Sequence, residues 1–282
     1  MNVYIPDGRI DRFILEDMPY IDLTTEVLGI GEEPGEIEYF TREDCVLCGV
    51  EEAARVLAKT GAHVTWSLSS GTRLSAGDAF LRAEGPAAAL HMAWKVSLNL
   101  CDHLSGVAAK TRAIVDAAHS ANPVCEVLTT RKSMPGVKDL LTKAVTCGGA
   151  YPHRLGASET VLVFDHHITF MGGFEAFLEK LPALRSRCVE KKLFVEAGAD
   201  EARRLAHAGI DGIQLDKMPP EELASLVGEL RVIDPRITLI AAGGINLQNA
   251  AAYAATGVDG LATTAPFTAK PIDMSVRMKQ VE

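Results

Sequence analysis

Cations and a carboxylate stand at the ends of short apolar runs between residues 129 and 167. Arg131 and Lys132 follow the run 124–128 after two threonines, and a second cationic pair follows a glycine pair. The polar residues of this stretch that could do chemistry are Thr130, Arg131, Lys132, His153, Arg154 and Asp165. Such side chains at strand ends are typical of a site for an anionic substrate and its metal ion.

The same layout, an apolar run that ends in polar or small residues, repeats along the rest of the chain. The later runs end in Glu196, in Asp216, in Ala242-Gly243-Gly244 and in Thr263-Thr264. Segments with helical spacing separate them, at 139–147, 174–184, 200–208, 220–230 and 246–255. This alternation predicts parallel strands joined by crossover helices, and so a closed β/α barrel with its site at the carboxyl ends of the strands. A doubly wound open sheet is the alternative, but its polar residues should cluster at one switch point rather than follow every strand.

Composition excludes several classes of protein. The chain has 282 residues, of which 48% are apolar, and a formal net charge of −9. The length suits a barrel with a smaller module, and the acidity argues against a nucleic-acid or anionic-membrane partner. No signal peptide is visible, and no apolar run reaches the roughly 20 residues of a membrane helix. We therefore expect a cytoplasmic protein.

Cysteine spacing does not indicate a metal site. Of the six cysteines, only Cys45 and Cys48 form a C-x-x-C pair. A zinc site needs two further ligands at matching spacing, and none lies near. We expect the cysteines to be buried, reduced thiols.

The first hundred residues follow a different pattern. Strand-like segments at 36–40, 64–68 and 79–83 surround a helical segment at 50–60, and a long helical pattern runs from residue 86 towards Leu104. This order predicts an α/β module with mostly antiparallel strands that ends in a helix leading into the barrel.

Short motifs in a fixed order run along nearly the whole chain. They are Asp-Leu-Thr-Thr at 22–25, Gly-Pro-Ala at 85–87, Ser-Leu-Asn at 97–99, Leu-Ser-Gly at 104–106, Thr-Arg-Lys at 130–132, His-Arg at 153–154, Gly-Gly-Ile at 243–245 and Thr-Gly-Val-Asp at 256–259. Together they resemble the quinolinate phosphoribosyltransferase (nicotinate-nucleotide pyrophosphorylase) family. The resemblance implies an N-terminal α/β sandwich domain (1–103), an incomplete (β/α) TIM-like barrel (104–270) and a C-terminal segment (271–282) that returns to the first domain. It also implies a homodimer in which the partner's N-terminal domain helps to close each active site.

The activity that the resemblance implies is transfer of a phosphoribosyl group from phosphoribosyl pyrophosphate to a pyridine carboxylate, with release of pyrophosphate and with Mg²⁺. The implied catalytic residues are Lys132, Glu196 and Asp216, of which the two carboxylates hold Mg²⁺ directly or through water. The implied phosphate-binding residues are Ala242, Gly243, Gly244, Thr263 and Thr264. The implied acceptor-binding residues are His103, Thr130, Arg131, His153, Arg154 and Phe164.

Physical chemistry supports these roles for the donor. Carboxylates beside the ribose and a metal on the pyrophosphate stabilise the two charges that develop in the transition state. Glu196 and Asp216 lie at successive strand ends, where such carboxylates are needed. Gly243-Gly244, read as the opening of a helix from Asn246, predicts backbone N–H groups aimed at a phosphate.

Departures from the family pattern concern the acceptor. His103 stands where the family usually has arginine, and Phe164 where it usually has lysine. Residues 194–196 and 265–273 also depart from the family's sequence, and the whole set resembles the ModD branch, pyrophosphorylase-like proteins associated with molybdate transport. Losing a charge-assisted bond costs about 1.5–3 kcal/mol, so two losses weaken quinolinate binding by about two to four orders of magnitude. We expect a less anionic aromatic or heterocyclic acid as acceptor.

Other interpretations stay open at this point. The structural ones are a solvated cation pair at Arg131-Lys132, surface charges at Glu196 and Asp216, an ordinary turn at Gly243-Gly244, and core or capping histidines at His103 and His153. Asp165-His166-His167 resembles a metal cluster, but adjacent side chains on an extended chain point to opposite faces. Two rival functions are a Schiff-base aldolase using Lys132 and a metabolite-binding protein without turnover.

Overall fold

The computed structural model describes residues 3–281, and these fall into two compact units. The N-terminal unit comprises the described residues up to Arg112, Met134–Gly149 and the described residues from Pro266. The barrel unit comprises Ala113–Ser133 and Ala150–Ala265.

Helices and strands alternate along most of the chain. The helices are α1 (Asp7–Asp17), α2 (Leu23–Leu28), α3 (Val50–Thr60), α4 (Ala87–Ala121), α5 (Lys138–Cys147), α6 (Asp165–Phe170), α7 (Phe174–Arg187), α8 (Ala199–His207), α9 (Pro220–Ile233) and α10 (Ala250–Ala254). The strands are β1 (Pro34–Thr41), β2 (Cys45–Val46), β3 (His63–Ser67), β4 (Arg73–Leu74), β5 (Ala79–Pro86), β6 (Glu126–Thr129), β7 (Tyr151–Pro152), β8 (Val161–Val163), β9 (Leu193–Glu196), β10 (Gly212–Asp216), β11 (Thr238–Ala242), β12 (Gly260–Thr263) and β13 (Met274–Gln280).

The N-terminal unit is built on an antiparallel sheet in the order β13-β1-β5-β3. Strand β1 alternates buried and partly buried residues, as expected where one face of a sheet covers a core. Helix α3 buries Val50, Ala53, Val56 and Leu57, which recur at helical spacing. The antiparallel α/β module predicted from the sequence is therefore confirmed. Strand β13 pairs with β1, so the C-terminal segment belongs to this sheet.

Helix α4 is longer than the sequence pattern indicated, with 35 residues. The domain boundary expected between residues 103 and 104 falls inside this helix, in a helical turn that packs tightly against its neighbours. A Cβ on Gly106 would lie 2.2 Å from the carbonyl oxygen of Lys270, so the chain passes directly over this glycine. The neighbouring Ser105 Oγ accepts a hydrogen bond from Cys48 N at 2.9 Å. The Leu-Ser-Gly motif thus serves packing within the N-terminal unit.

The barrel unit carries a wholly parallel sheet in the order β7-β6-β12-β11-β10-β9-β8. Among the described residues, β7 and β8 have no pairing with each other, so the sheet does not close. The closed barrel expected from the strand pattern is wrong, and the incomplete barrel implied by the family resemblance is confirmed. Strand β7 has only two residues, and the second is Pro152, which has no N–H to donate to a further strand.

All six cysteines are free thiols. Cys45, Cys48, Cys101 and Cys125 are buried as expected, whereas Cys147 and Cys188 are only partly buried. Cys48 Sγ lies 3.7 Å from Cys147 Sγ. No helix within residues 3–281 combines the length and the apolar character needed to cross a membrane.

Candidate active site at the carboxyl edge of the barrel sheet

Strand register brings the predicted site residues of the barrel unit to one edge of the sheet. Asp216 pairs with Ala242 between β10 and β11, and Ala242 pairs with Ala262 between β11 and β12. Thr263 then pairs with Thr129 at the end of β6. Because the strands are parallel, the residues just beyond these positions emerge together at the carboxyl edge.

Glu196 is held by a neighbour on the adjacent strand. Gln214 Nε2 donates a hydrogen bond to Glu196 Oε2 at 2.5 Å, and the two residues are register partners between β10 and β9. Burial raises the pKa of Glu196, and the nearby Asp216 carboxylate raises it further. The Gln214 bond and the cations Lys132 and Lys217 oppose this rise. The site therefore contains two carboxylates within electrostatic range of each other and of two lysines.

Gln214 was not predicted as a site residue. It is 7% exposed, in a strand whose other residues up to Leu215 are glycine or aliphatic. A single amide inside an otherwise apolar strand needs a buried hydrogen-bond partner. The position of Gln214 in the sequence was therefore the feature from which its role could have been predicted.

The segment that carries Arg131 and Lys132 begins at Thr130, which makes two hydrogen bonds to residues at the end of β12. Thr130 N donates to Thr263 O at 3.0 Å, and the Thr130 and Thr264 hydroxyls are 2.9 Å apart. The side chains of Arg131 and Lys132 are exposed beyond this anchored point. The Lys132 charge lowers the pKa of Glu196, so the ammonium lies within electrostatic range of the carboxylate site.

The glycine pair after β11 differs from the prediction. Gly243 and Gly244 have φ of 87° and 76°, but the next helix, α10, begins only at Ala250. The expectation of a helix opening at Asn246 is wrong, because asparagine side chains occupy the intervening turn. Asn249 Oδ1 accepts from Asn246 N at 2.8 Å, which favours a turn over a helix there. Gly244 leaves the backbone at the sheet edge open, because a Cβ there would meet no atom within 4 Å.

A close approach explains why the first of these positions is glycine. A Cβ at Gly243 would lie 2.4 Å from Lys217 Cγ and 2.6 Å from Asp216 Oδ1. The glycine backbone therefore passes directly beneath the carboxylate at the end of β10.

His153, Arg154 and Phe164 form a second group at the same edge. Burial and the adjacent Arg154 charge lower the pKa of His153, so the imidazole is neutral at pH 7. The Arg154 guanidinium carbon lies 6.0 Å from the centre of the Phe164 ring. Phe164 also packs against the buried residues Leu162, Phe194, Ile240, Ala242 and Ala262, which fill the inside of the sheet. An aromatic face flanked by a cation results.

The residues after Phe164 are helical, not extended as the sequence argument assumed. Asp165, His166 and His167 form the first turn of α6, and the two histidine rings lie 4.3 Å apart. His166 stacks on Phe164 at 5.4 Å with ring planes 11° apart. His167 Nδ1 accepts from Phe164 N at 2.9 Å, so this ring caps the helix and supports the aromatic group.

His103 lies in the N-terminal unit, on α4. Its side chain is exposed, so the alternative of a buried neutral histidine is wrong. It lines a cavity of about 620 Å³ within that unit, together with Asn99, Met134, Leu140 and Phe267.

Asp22, the first residue of the Asp-Leu-Thr-Thr motif, has a structural role. It is the N-cap of α2, and its side chain accepts hydrogen bonds from Thr24 N and Thr25 N.

Comparison with known proteins identifies the family. The family model for the N-terminal domain of quinolinate phosphoribosyl transferase matches residues 22–105, and that for its C-terminal domain matches residues 107–277. The chain belongs to the quinolinate phosphoribosyltransferase family. Its incomplete barrel and antiparallel N-terminal sheet are those of this family's solved structures.

Relatives within the quinolinate phosphoribosyltransferase family carry two kinds of name. A ModD protein of Rhodobacter capsulatus, named as a pyrophosphorylase, is 42% identical over 248 residues, which are 88% of this chain and 95% of the relative. A nicotinate-nucleotide pyrophosphorylase (carboxylating) of Mycobacterium leprae is 32% identical over 262 residues, 91% of this chain and 90% of the relative. The predicted resemblance to the ModD branch is confirmed.

Solved structures of the quinolinate phosphoribosyltransferase family have the same fold. NadC from Streptococcus pyogenes has a TM-score of 0.89 and 25% identity, covering 100% of both chains. The nicotinate-nucleotide pyrophosphorylase of Francisella tularensis has a TM-score of 0.87 and 26% identity, covering 98% of both chains. These likenesses extend over both units of the chain.

Proposed function

We propose that this protein transfers a phosphoribosyl group from phosphoribosyl pyrophosphate to an aromatic or heterocyclic acid related to quinolinate or nicotinate, and releases pyrophosphate. The observation that carries the proposal is the pair of carboxylates, Glu196 and Asp216, on neighbouring parallel strands near Lys132 and the open backbone of Gly244. This group of residues supplies negative charge for the ribose cation and positive charge for the leaving pyrophosphate.

The donor half of the proposed site follows from that charge distribution. Breaking the bond from the anomeric carbon to pyrophosphate leaves positive charge on the ribose and negative charge on the leaving group. Glu196 and Asp216 stabilise the ribose cation, and Lys132 stabilises the leaving phosphates. Gln214 keeps the Glu196 carboxylate in one orientation, because its donated hydrogen bond comes from a buried strand position.

Phosphate oxygens need donors as well as charge. In this proposal the backbone of Ala242, Gly243 and Gly244 and the hydroxyls of Thr263 and Thr264 surround the phosphate groups. The positive φ of both glycines, and the open space around Gly244, where a Cβ would meet no atom within 4 Å, support close approach of a ligand there.

Magnesium fits the carboxylate pair as a companion of the donor. No group of three or more His, Cys, Asp or Glu side chains within residues 3–281 could hold a metal ion unaided. Mg²⁺ ordinarily binds through one or two carboxylates together with substrate phosphates and water. Glu196 and Asp216 supply that number, and bound Mg²⁺ would neutralise charge on the pyrophosphate.

The acceptor half is proposed at the aromatic group. Phe164 offers an apolar face, and Arg131 and Arg154 supply permanent cations for an acidic substituent. Neutral His153 and the Thr130 hydroxyl donate or accept hydrogen bonds without adding charge. A flat ring with a single acidic group matches this set better than a dicarboxylate does.

A homodimer with shared sites is part of the proposal. Five apolar side chains between residues 20 and 28 are between 62% and 92% exposed: Tyr20, Ile21, Leu23, Val27 and Leu28. Such a cluster on a monomer is typical of an interaction surface. The proposal assigns the exposed His103 to the acceptor site of the partner.

Two rival functions find less support. A Schiff-base lysine is normally desolvated, whereas Lys132 is exposed and next to Arg131. A binding protein without turnover has no need for Gln214 to orient Glu196. A link to molybdenum transport and a cytoplasmic location stay predictions.

A screen of acceptors tests the proposed reaction. Pyrophosphate release from phosphoribosyl pyrophosphate and Mg²⁺ should require one member of a panel of aromatic and heterocyclic acids, and mass spectrometry should find the phosphoribosylated acid. Release that occurs equally without any acceptor, or no release with the whole panel, would contradict the proposed transfer.

A further inference from the structure

We propose that Lys217 is a second phosphate-binding cation of the donor site, which contacts the pyrophosphate of phosphoribosyl pyrophosphate from the side opposite Lys132. The inference rests on the proposed function and deepens it, because it adds a residue that neither the family motifs nor the sequence pattern pointed to. Three independent features of Lys217 carry it: its backbone, its stem and its charge.

The backbone of Lys217 is held in an unusual conformation. Among residues 3–281 it is the one non-glycine residue with positive φ, at 55°. A side chain with a Cβ adopts this left-handed region at a cost in free energy, and such residues cluster at functional sites. Lys217 N donates to Ala242 O at 2.8 Å, which continues the β10–β11 ladder one residue past Asp216 and holds the strained residue in place.

The stem of Lys217 lies across the glycine that the donor site needs. A Cβ at Gly243 would lie 2.4 Å from Lys217 Cγ and 2.8 Å from Lys217 N. The lysine side chain therefore starts out over the phosphate-binding backbone and not away from the sheet edge. Without the left-handed turn at Lys217, the side chain would leave β10 in another direction.

The ammonium group ends beside the carboxylates. Lys217 Nζ lies 3.6 Å from Asp216 Oδ2, and the side chain is 80% exposed. An exposed ion pair of this kind contributes little to stability, so stability does not account for the strained backbone.

The arrangement has a use when donor binds. Asp216 would help to hold a metal-bound pyrophosphate, and this would compete with its ion pair to Lys217. The freed ammonium, carried on its fixed stem, would then pair with a phosphate oxygen. Lys132 and Lys217 would thus approach the same polyanion from two strand ends, those of β6 and β10.

Calorimetry on the full-length protein tests this role without any acceptor. The probes are phosphoribosyl pyrophosphate and inorganic pyrophosphate, each with Mg²⁺. Lys217→Asn is the decisive variant, because asparagine tolerates positive φ and carries no charge. We expect it to weaken binding of both probes roughly 10-fold or more, the usual scale for a lost charge-assisted contact. Lys217→Arg, which keeps the charge, should bind within about threefold of wild type.

Two further variants separate charge from folding. Lys191→Asn removes an exposed lysine that precedes β9, at the opposite end of the strands, and should leave both affinities unchanged. Lys217→Gly removes the side chain and relieves the strain, so its unfolding temperature should not fall while its affinity drops as in Lys217→Asn.

The outcomes are distinct for the two proposals. Wild-type protein that binds both probes while Lys217→Asn and Lys217→Gly bind equally well, or more tightly, overturns the role of Lys217 and leaves the proposed function standing. Loss of folding in both variants also overturns it, since Lys217 would then be a structural residue. Wild-type protein that binds neither probe contradicts the proposed function itself, and the role of Lys217 falls with it.

Discussion

Replacing Phe164 by lysine should improve the use of quinolinate. The ring lies at the acceptor end of the proposed site, half-buried against the apolar interior of the sheet, with the Arg154 guanidinium 6.0 Å from its centre. A lysine stem can cover part of the same apolar surface and extend its ammonium towards the acceptor. The substitution thus adds a cation where the family resemblance implies a lysine.

The substitution should raise kcat/KM for quinolinate and lower the stability of the fold. A charge-assisted hydrogen bond to a carboxylate contributes about 1.5–3 kcal/mol when the site is dry. The site is partly exposed and the new ammonium lies near Arg154, so the lower end applies, about 1.4 kcal/mol or a tenfold gain in kcat/KM for quinolinate. Deleting a buried ring costs about 3–5 kcal/mol, and the half-buried Phe164 should cost roughly half of that in stability.

The assay is pyrophosphate release with quinolinate, compared with a monocarboxylate such as nicotinate. Phe170→Lys is a matched control, because Phe170 ends the same helix, is 93% exposed and receives the same charge outside the site. Phe164→Leu controls for loss of the ring alone. Of these three variants, only Phe164→Lys should show a higher kcat/KM for quinolinate, and its increase in kcat/KM for nicotinate should be smaller. A wild-type enzyme that already turns over quinolinate efficiently would refute the reasoning, because other groups would then supply the missing charge.

Four further predictions concern the acceptor, the homodimer, the hydrogen bond on Glu196 and a buried ion pair. Adding His103→Arg to Phe164→Lys should raise quinolinate turnover about 100-fold if both contacts form. Light scattering at micromolar concentration should find a dimer, and an active monomer would exclude shared sites. Gln214→Leu should lower kcat by about tenfold while donor affinity measured by calorimetry stays within threefold, since it removes one hydrogen bond to Glu196; an unchanged kcat would argue against an orienting role. Lys143→Met should reduce the free energy of unfolding in urea by about 3–5 kcal/mol, because it leaves the 3%-exposed Glu52 unpaired; the double variant with Glu52→Met should recover most of that loss.

The fold was predictable from sequence where pattern and length both pointed one way. Helix α3 begins and ends where its hydrophobic spacing does, and each strand of the barrel unit except β7 overlaps one of the mainly apolar runs of the sequence. Closure of the sheet was not predictable from pattern, because it depends on whether β7 and β8 pair. Two-residue β7 has too short a sequence to carry a periodic signal.

The polar residues of the candidate site were visible in the sequence, but the contacts that hold them in place were not. Polar residues at strand ends were visible because they interrupt apolar runs, as at Glu196 and Asp216. Gln214 and Lys217 act through a register partner and a backbone angle, and neither can be read from spacing along one strand. The helix expected at Asn246 failed because side-chain hydrogen bonds of asparagine compete with helical ones.

Binding of the donor is the measurement that tests the central claim most directly. Calorimetry should find that phosphoribosyl pyrophosphate binds the wild-type protein with Mg²⁺ and binds much more weakly after chelation. Asp216→Asn keeps the size of the side chain and removes its charge, so it should weaken the Mg²⁺-dependent binding and abolish turnover, whereas Asp200→Asn, on an exposed helix position, should change neither. Donor binding that is absent, or that is indifferent to both Mg²⁺ and Asp216, would contradict the account of this protein as a phosphoribosyltransferase.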